Sequence, residues 1–342
     1  MAASLTKGRK RAAGSPSDSA FDRLKALLED DLEQVNRIIV ERMQSPVRMI
    51  PQLAGYLIGS GGKRLRPLLT LATARMMGYG GTHHQRLAAT VEFIHTATLL
   101  HDDVVDESAL RRGQAAANLV WGNQASVLVG DFLFSRAFQL MVEVEDLRIL
   151  DVLAQASAVI AEGEVMQLAS ANDLSTTEDV YLQVITAKTA ALFAAAAQVG
   201  GMVAGCSREQ EEALEIYGRT LGIAFQLVDD ALDYSGSETD LGKSVGDDFR
   251  EGKITLPVVL ACQKGNEKEQ AFWKRTIEDG NQRPDDLAYA IERVNARGAL
   301  RETVERAQGY GARAKDALAE LPDTPHRTAL NDVVDFCIAR AY

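Results

Sequence analysis

Apolar residues follow a helical spacing through nearly the whole chain from Phe21 onward. In the first stretch, FDRLKALLEDDLEQVNRIIVERM, the apolar side chains share one stripe and the charged side chains lie opposite. The stripe consists of Leu24, Leu27, Leu28, Leu32, Val35 and Ile39. Alternating runs typical of half-buried strands are hard to find, and most of the 8 prolines lie where helices would begin or end. The pattern predicts an all-α fold.

The composition is that of an ordinary soluble globular protein, with 46% apolar and 25% charged residues. The sequence contains no run of about 18 strongly apolar residues, the length that a transmembrane helix needs. We interpret the Ala- and Gly-rich stretch from Thr189 to Gly205 as a core helix. A net charge of -11 argues against general affinity for nucleic acid, which is bound through Lys and Arg. The widely spaced Cys206, Cys262 and Cys337 indicate neither a disulfide framework nor a zinc site, which fits a reducing cytoplasm.

The first 20 residues differ from the rest of the chain. They are small, polar and basic and contain no apolar segment of a secretory signal. We interpret residues 1–20 as a disordered, solvated tail; a transit peptide is the alternative, because acids are scarce before Asp18. No long linker divides the remainder, so residues 21–342 are predicted to form one helical domain.

Two acidic clusters follow apolar helical stretches. They are LLHDDVVDES, with Asp102, Asp103 and Asp106, and QLVDDALDYS, with Asp229, Asp230 and Asp233. On a helix, the first and last aspartates of each cluster lie on one stripe. One cluster alone is commonly a solvated face, but burying unpaired carboxylates beside apolar residues costs several kcal/mol each. The two copies therefore predict a cation between facing helices, and oxygen ligands without His or Cys favour Mg²⁺ shared with phosphates.

Compact basic groups supply what a phosphate ligand requires. They are GGKRLRP at 61–67, LRRG at 110–113 and GKSVGDDFREGK at 242–253. Surface solvation would explain any one of them, but the glycines and the proline favour amides and side chains that converge on a diphosphate. A nucleotide-binding P-loop is excluded around Lys243, because five residues instead of four separate its glycines and an acidic helix precedes it. His95 lies seven residues before Asp102, near the same helix face, and is a candidate ligand for a second anionic group.

Taken in order, these motifs resemble those of the trans-polyprenyl diphosphate synthases, in particular the long-chain octaprenyl to decaprenyl type. GGKRLRP, the two DDxxD motifs, RRG, the KT at 188–189 and the later GK and EGK occur in the family's order, from about Phe21 to the C-terminus. The resemblance implies a single orthogonal helical bundle around a central cavity, usually as a homodimer. It also implies that an allylic diphosphate is elongated with isopentenyl diphosphate, with three Mg²⁺ per site, to an all-trans product of about C40–C50 for quinone side chains.

The resemblance further implies a role for each site residue. The implied metal ligands are Asp102, Asp106 and Asp229, with Asp103, Asp230 and Asp233 completing the shell or positioning water. The implied ligands of isopentenyl diphosphate are Lys63, Arg66, His95 and Arg112. The implied ligands of the allylic diphosphate are Arg111, Lys188, Thr189, Gln226, Lys243 and Lys253.

Product length is expected to depend on the turn before the first acidic motif. Helical side chains lean toward the N-terminus, so the small Ala97 and Thr98 lie where a growing tail would leave the metal site. A Phe or Tyr there often blocks this route in short-chain relatives. Phe132, Leu133 and Phe138 are candidate floors of the tunnel, and plain core packing explains them equally well.

Several alternatives stay open. A farnesyl or geranylgeranyl diphosphate synthase would differ in product length, a terpene cyclase would not need the second diphosphate pocket, and a non-catalytic subunit would typically lack some of the acids. A purely structural helical protein leaves the carboxylates unexplained. We expect a cytoplasmic homodimer that uses an allylic substrate such as farnesyl diphosphate, has no nucleic-acid partner or transmembrane segment, and contacts a membrane transiently when the product is released.

Overall fold

The computed structural model describes residues 16–59, 62–111, 113–235 and 245–340. The helices of its N-terminal half are α1 (Pro16–Leu27), α2 (Glu29–Arg42), α3 (Met49–Gly59), α4 (Leu65–Met76), α5 (His83–Val105), α6 (Ala117–Trp121), α7 (Asn123–Val142) and α8 (Leu147–Ser170). Those of its C-terminal half are α9 (Glu178–Ile185), α10 (Ala191–Val203), α11 (Arg208–Asp233), α12 (Asp247–Arg250), α13 (Leu256–Gln263), α14 (Glu267–Trp273), α15 (Asp286–Ala296), α16 (Ala299–Ala317) and α17 (Pro325–Ala339). The described residues thus confirm the all-α prediction.

Three short elements interrupt the α-helices. Two π-helical turns, Thr186–Ala190 and Lys274–Glu278, follow α9 and α14. The strands β1 (Leu110–Arg111) and β2 (Gln114–Ala115) form an antiparallel ribbon in which Leu110 pairs with Ala115. This ribbon follows α5 and carries Arg111 back toward the end of that helix.

The N-terminal helices depart from the single stripe that the sequence predicts. Leu24, Leu28, Val35 and Ile39 are buried, but Leu27 is 43% exposed. The assignment of Leu27 to the buried stripe is wrong: α1 ends at this residue, and the next residue, Leu28, which precedes α2, is buried in its place. Helix α1 begins at residue 16, so residues 16–20 of the predicted tail are helical, whereas residues 1–15 lie outside the described part of the chain.

The long helices surround a large apolar core. Helix α5 packs along α7, α10 packs along α4 and α11, and α11 packs along α16. The Ala- and Gly-rich segment predicted as a core helix forms α10, and most of its side chains are buried. A smaller apolar cluster lies on the other side of α11, against α13 and the helices that follow. This packing fixes the C-terminal ends of α5 and α11, which carry the two acidic clusters.

Two helical stretches are long and apolar enough to cross a membrane, judged by length and composition only. The stretch Glu178–Val203 is 67% buried inside the fold and is a core helix of this bundle. Helix α7 is 39% buried, and its exposed apolar side chains are Val127, Leu128, Phe138 and Val142.

Candidate active site

The two acidic clusters line one cavity of about 630 Å³. The C-terminal ends of α5 and α11 bring the clusters to this cavity, and α8, the π turn Thr186–Ala190 and the segment 247–255 complete its walls. The acidic motif residues in the lining are Asp102, Asp106, Asp229, Asp230 and Asp233. The clusters therefore face a shared interior space.

The helix dipoles of α5 and α11 make acidic side chains at their C-terminal ends unfavourable unless cations compensate them. The first cluster occupies the end of α5 and the second occupies the end of α11, and neither helix, each fully described, has a basic side chain in its last turn. The C-terminal end of a helix carries negative partial charge, so carboxylates there need positive charge from elsewhere. Burial raises the pKa of Asp102, and burial together with Asp248 raises the pKa of Asp233 to about 7. The site is built to be stabilised by cations.

In the first cluster, two carboxylates face the cavity and one is turned into the protein. Asp103 is fully buried and accepts a hydrogen bond from Arg111 Nε at 2.8 Å. Asp106 Oδ2 accepts from Lys253 Nζ at 3.0 Å, and Asp102 Oδ2 lies 4.0 Å from Lys188 Nζ. Asp103 thus anchors the ribbon that follows α5, while its two neighbours point toward cations on other elements.

Asp230 in the second cluster is fixed by hydrogen bonds to both oxygens. Its Oδ1 accepts from Gln226 Nε2 at 2.7 Å, and its Oδ2 accepts from the Tyr181 hydroxyl at 2.5 Å. Burial and the nearby Asp248 raise the pKa of Asp230 to about 8, against the opposing effect of these two bonds. The carboxyl is therefore held in place by the protein.

The other two members of the second cluster also differ from each other. The Asp233 carboxylate accepts hydrogen bonds from the backbone N–H groups of residues 246, 247 and 248 at 3.1–3.2 Å, and so fixes the start of α12. Asp229 Oδ1 lies 3.0 Å from Nη1 of Arg340, which follows α17. All three acids of this cluster line the cavity, but Asp230 and Asp233 are bonded to uncharged protein donors, so Asp229 is the one whose carboxylate faces a cation.

Three carboxylates of the cavity thus each meet a cationic side chain from another element. The pairs are Asp102 with Lys188, Asp106 with Lys253, and Asp229 with Arg340. Although burial alone would lower it, Asp106, Asp248 and Glu251 raise the pKa of Lys253, so this lysine stays charged. These three carboxylates are also the ones that the resemblance implies as leading metal ligands.

Residues expected to bind isopentenyl diphosphate lie partly in the cavity wall. Arg66 and His95 line the cavity, with Arg66 Nη1 3.1 Å from His95 Nε2, and the Arg66 guanidinium lies 4.4 Å from the centre of the Phe193 ring. Lys63 is not among the lining residues; its Nζ lies 4.2 Å from the centre of the Phe336 ring on α17. Arg112 lies outside the described residues.

Most residues expected to bind the allylic diphosphate line the cavity together. They are Arg111, Lys188, Thr189, Gln226 and Lys253. The π turn carries Lys188 and Thr189, and the Thr189 hydroxyl donates a hydrogen bond to Gln226 Oε1 at 2.9 Å. Lys243 lies outside the described residues.

The residues expected to control chain length take different positions. Thr98 lines the cavity, whereas Ala97 is fully buried in the apolar core. Leu133 is fully buried, Phe132 packs partly buried against the core, and Phe138 is 37% exposed on α7. Leu133 and Phe132 are placed as core residues, and the exposure of Phe138 does not fit a tunnel floor.

Three residues of the site were not predicted from the sequence. Glu164 on α8 binds Lys188 Nζ at 2.7 Å, Tyr181 binds Asp230, and Arg340 pairs with Asp229. The sequence does signal Glu164, because it is a glutamate within the largely apolar stretch of α8. In the fold, burial and Asp102 raise its pKa. The other two are isolated residues far along the chain from their partners, and their spacing carries no signal.

The fold and its paired acidic motifs place this chain among the all-α prenyltransferases. The chain belongs to the polyprenyl synthetase family, which it matches over residues 47–294. It is 49% identical over 320 residues to octaprenyl diphosphate synthase of Escherichia coli K12, covering 94% of this chain and 99% of that protein.

Solved structures agree with this assignment. A decaprenyl diphosphate synthase from Rhodobacter capsulatus is 55% identical with a TM-score of 0.91, covering 94% of this chain and 99% of that one. A polyprenyl synthase from Caulobacter crescentus, complexed with calcium and isoprenyl diphosphate, is 53% identical with a TM-score of 0.92, covering 97% and 100%. The predicted single orthogonal bundle, the isoprenoid synthase fold, is confirmed.

Proposed function

We propose that this protein elongates an allylic diphosphate by repeated condensation with isopentenyl diphosphate, and that it makes a long-chain all-trans polyprenyl diphosphate of about C40–C50. The supporting observation is the cavity in which Asp102, Asp106 and Asp229 face Lys188, Lys253 and Arg340. The names of its relatives, an octaprenyl and a decaprenyl diphosphate synthase, support a long product. Quinone side chains are the proposed destination.

Mg²⁺ is the proposed cofactor, held by Asp102, Asp106 and Asp229, with three ions per site. The donors are carboxylate oxygens at the negative ends of two helices, and the Caulobacter relative binds calcium, another oxygen-preferring cation. Within the described part of the chain, no three acidic, His or Cys side chains already form a metal-binding group. The ion would therefore complete its shell with water and substrate phosphate. When bound, it would neutralise charge on the departing diphosphate.

The chain's own residues bind and orient the two substrates. Lys188 and Lys253 are placed to receive the negative charge that builds up as the allylic C–O bond breaks. Arg111, Thr189, Gln226 and Lys243 are proposed to complete that half of the site. The isopentenyl double bond then attacks the allylic carbocation, a new C–C bond forms, and the released diphosphate takes the proton lost in restoring a double bond.

Isopentenyl diphosphate is proposed to bind at Arg66 and His95, with Lys63 and Arg112 contributing. The Arg66 guanidinium is held between His95 and the face of Phe193, so its orientation is fixed before the ligand arrives. Water would quench the carbocation, so we propose that bound substrate excludes it from the cavity during the reaction.

A cytoplasmic homodimer with one catalytic domain, residues 21–342, is the proposed assembly. The exposed apolar side chains of α7 support burial of this face against a second copy. Transient membrane contact is proposed only for release of the apolar product. Because residues 16–20 belong to α1 and Ala20 is buried, the proposed solvated basic tail is limited to residues 1–15. Light scattering after gel filtration should report twice the mass of 37.1 kDa.

The central test is incubation of the purified protein with Mg²⁺, farnesyl diphosphate and labelled isopentenyl diphosphate. We expect products of at least about eight isoprene units, and chromatography of the extracted products measures their length. Asp102→Ala and Asp229→Ala should each lower turnover by at least about a hundredfold, because each removes a proposed metal ligand. Asp335→Ala, a matched exposed acid on α17, should stay near the wild-type rate.

Each alternative gives a different result in this assay. Products of only fifteen or twenty carbons would contradict long-chain synthesis. A cyclic hydrocarbon formed without isopentenyl diphosphate would identify a terpene cyclase. No turnover under any of these conditions would favour a non-catalytic subunit.

A further inference from the structure

A row of four hydrogen-bonded side chains in the cavity wall connects three elements; Tyr181, Thr189 and Asp230 are buried and Gln226 is partly buried. The Tyr181 hydroxyl donates to Asp230 Oδ2 at 2.5 Å, Gln226 Nε2 donates to Asp230 Oδ1 at 2.7 Å, and the Thr189 hydroxyl donates to Gln226 Oε1 at 2.9 Å. Tyr181 lies on α9, Thr189 lies in the π turn, and the other two lie on α11. Tyr181 is 3% exposed and Asp230 is also 3% exposed, so water does not substitute freely for these bonds.

The row fixes which way the Gln226 amide points. The amide nitrogen faces the Asp230 carboxylate, and this leaves the amide oxygen facing the Thr189 hydroxyl. If Asp230 rotated, the amide would lose its partner and the Thr189 hydroxyl would be free to turn. The orientation of Asp230 depends in turn on Tyr181, which holds its other oxygen.

We infer that Tyr181 is a positioning residue for the allylic-diphosphate half of the site, acting through Asp230 on Gln226 and Thr189. This inference rests on the proposed function, in which the last two residues contact the allylic diphosphate. Tyr181 sets their geometry from a distance and is not itself a diphosphate ligand.

Two residues of the other half of the site are held by different groups. Arg66 is positioned by His95 and by the ring of Phe193, which lie on α5 and α10. Loss of the Tyr181 hydroxyl should therefore weaken one substrate selectively. A residue that merely stabilised the fold would affect both substrates alike.

The test compares Tyr181→Phe with Tyr217→Phe. Tyr217 is an equally buried tyrosine on α11, whose hydroxyl donates to the Leu330 carbonyl oxygen at 3.0 Å in the apolar core. For each variant we would measure the KM for farnesyl diphosphate, the KM for isopentenyl diphosphate and the melting temperature. Calorimetry with Mg²⁺ and farnesyl thiodiphosphate, which does not readily ionise, would measure binding without turnover.

For Tyr181→Phe, we expect the KM for farnesyl diphosphate and the Kd of the thiodiphosphate to rise about tenfold, the size expected when a buried hydrogen bond is lost. The KM for isopentenyl diphosphate should stay within about twofold, and Tyr217→Phe should change neither KM. Asp230→Asn disturbs the same row at its centre and provides a second test if Tyr181→Phe folds poorly. Because Asp230 is also implied to complete the metal shell, both KM values are measured at saturating Mg²⁺, where the KM for farnesyl diphosphate should rise and that for isopentenyl diphosphate should stay within about twofold.

Equal changes in both KM values, or an unchanged Kd for the thiodiphosphate, would overturn the inference. The proposed elongation activity and the positioning role of Tyr181 can be refuted independently of each other. Wild-type protein that binds the thiodiphosphate without elongating farnesyl diphosphate contradicts the proposed function, and the Kd comparison still decides whether Tyr181 positions the site.

Discussion

The close packing of Gly163 against the π turn gives the sharpest prediction about stability and activity. A Cβ on Gly163 of α8 would lie 2.6 Å from the backbone nitrogen of Lys188 and 2.9 Å from Ala187 Cβ. Ordinary contact begins near 3.4 Å, so Gly163→Ala must move the π turn or α8 by about 0.8 Å. Overpacking of this kind destabilises a core by about 1–3 kcal/mol. With an unfolding entropy of about 2.1 cal/mol/K per residue, this lowers the melting temperature of the 342-residue chain by about 1–4 °C.

The same displacement should have a larger effect on catalysis than on stability. Lys188 pairs with Glu164 and faces Asp102, so moving its backbone moves a cation of the proposed allylic site. Because a misplacement of about 1 Å in such a site can cost about a hundredfold, we expect kcat/KM for farnesyl diphosphate to fall about 10- to 100-fold. Thermal melting followed by circular dichroism and initial-rate measurements on the same preparations would check both values.

Gly309→Ala is the matched control. Gly309 lies within α16, and a Cβ there would have no atom within 4 Å. This change should leave activity unaltered and raise stability by about 0.5–1 kcal/mol, because alanine favours a helix interior. If Gly163→Ala retains wild-type activity and melting temperature, the π turn is not held against α8 as the structure indicates, and the reasoning fails.

Three other substitutions test separate parts of the structure. Thr98→Phe should shorten the product, because Thr98 lines the cavity just before Asp102; an unchanged chromatographic profile would exclude this route for the tail. Burial alone would raise the pKa of Asp31, but hydrogen bonds from Arg75 and Gln85 lower it from 3.8 to about 2. The stabilisation is therefore present above pH 3.8 and is lost as the pH falls through about 2, so Asp31→Asn should cost about 2 kcal/mol in denaturant unfolding at pH 7 and little at pH 2. Asp233→Ala removes the side-chain acceptor for the backbone N–H groups of residues 246–248. Because the N–H of Gly246 keeps its bond to the Asp233 carbonyl oxygen at 3.0 Å, amide exchange should accelerate by at least about tenfold at residues 247 and 248; unchanged protection there would contradict this capping role.

The fold class could be predicted because helical periodicity is a local property of the sequence. The stripe from Leu24 to Ile39 and the small side chains of α10 each carry enough signal to indicate a buried helix. The position of Leu27 could not be predicted, because it depends on where α1 ends and on which neighbour covers it. Termination of a helix is decided by tertiary packing as much as by local preference.

Much of the site could also be predicted, since charged residues beside apolar helices are conspicuous. Asp102 and Asp229 were found in this way, and the structure places both at one cavity. Tyr181 and Arg340 escaped prediction because each lies far along the chain from its carboxylate, at a separation that no local pattern encodes. For Lys63, the basic motif predicted a positive charge. It could not predict that this lysine would contact the ring of Phe336.

The two copies of the DDxxD motif have the same sequence pattern, but their aspartates make different contacts in the fold. Its last aspartate faces a lysine across the cavity in the first copy, at Asp106, but caps a helix in the second, at Asp233. Asp106 directly follows α5 and its carboxylate is bonded to Lys253, whereas Asp233 is the last residue of α11 and residues 246–248 pack directly on it. The two copies of the motif thus differ in which groups contact their last aspartate. Asp102, Asp106 and Asp229 consequently face cations in the cavity, whereas the carboxylates of Asp230 and Asp233 are bonded to uncharged protein donors.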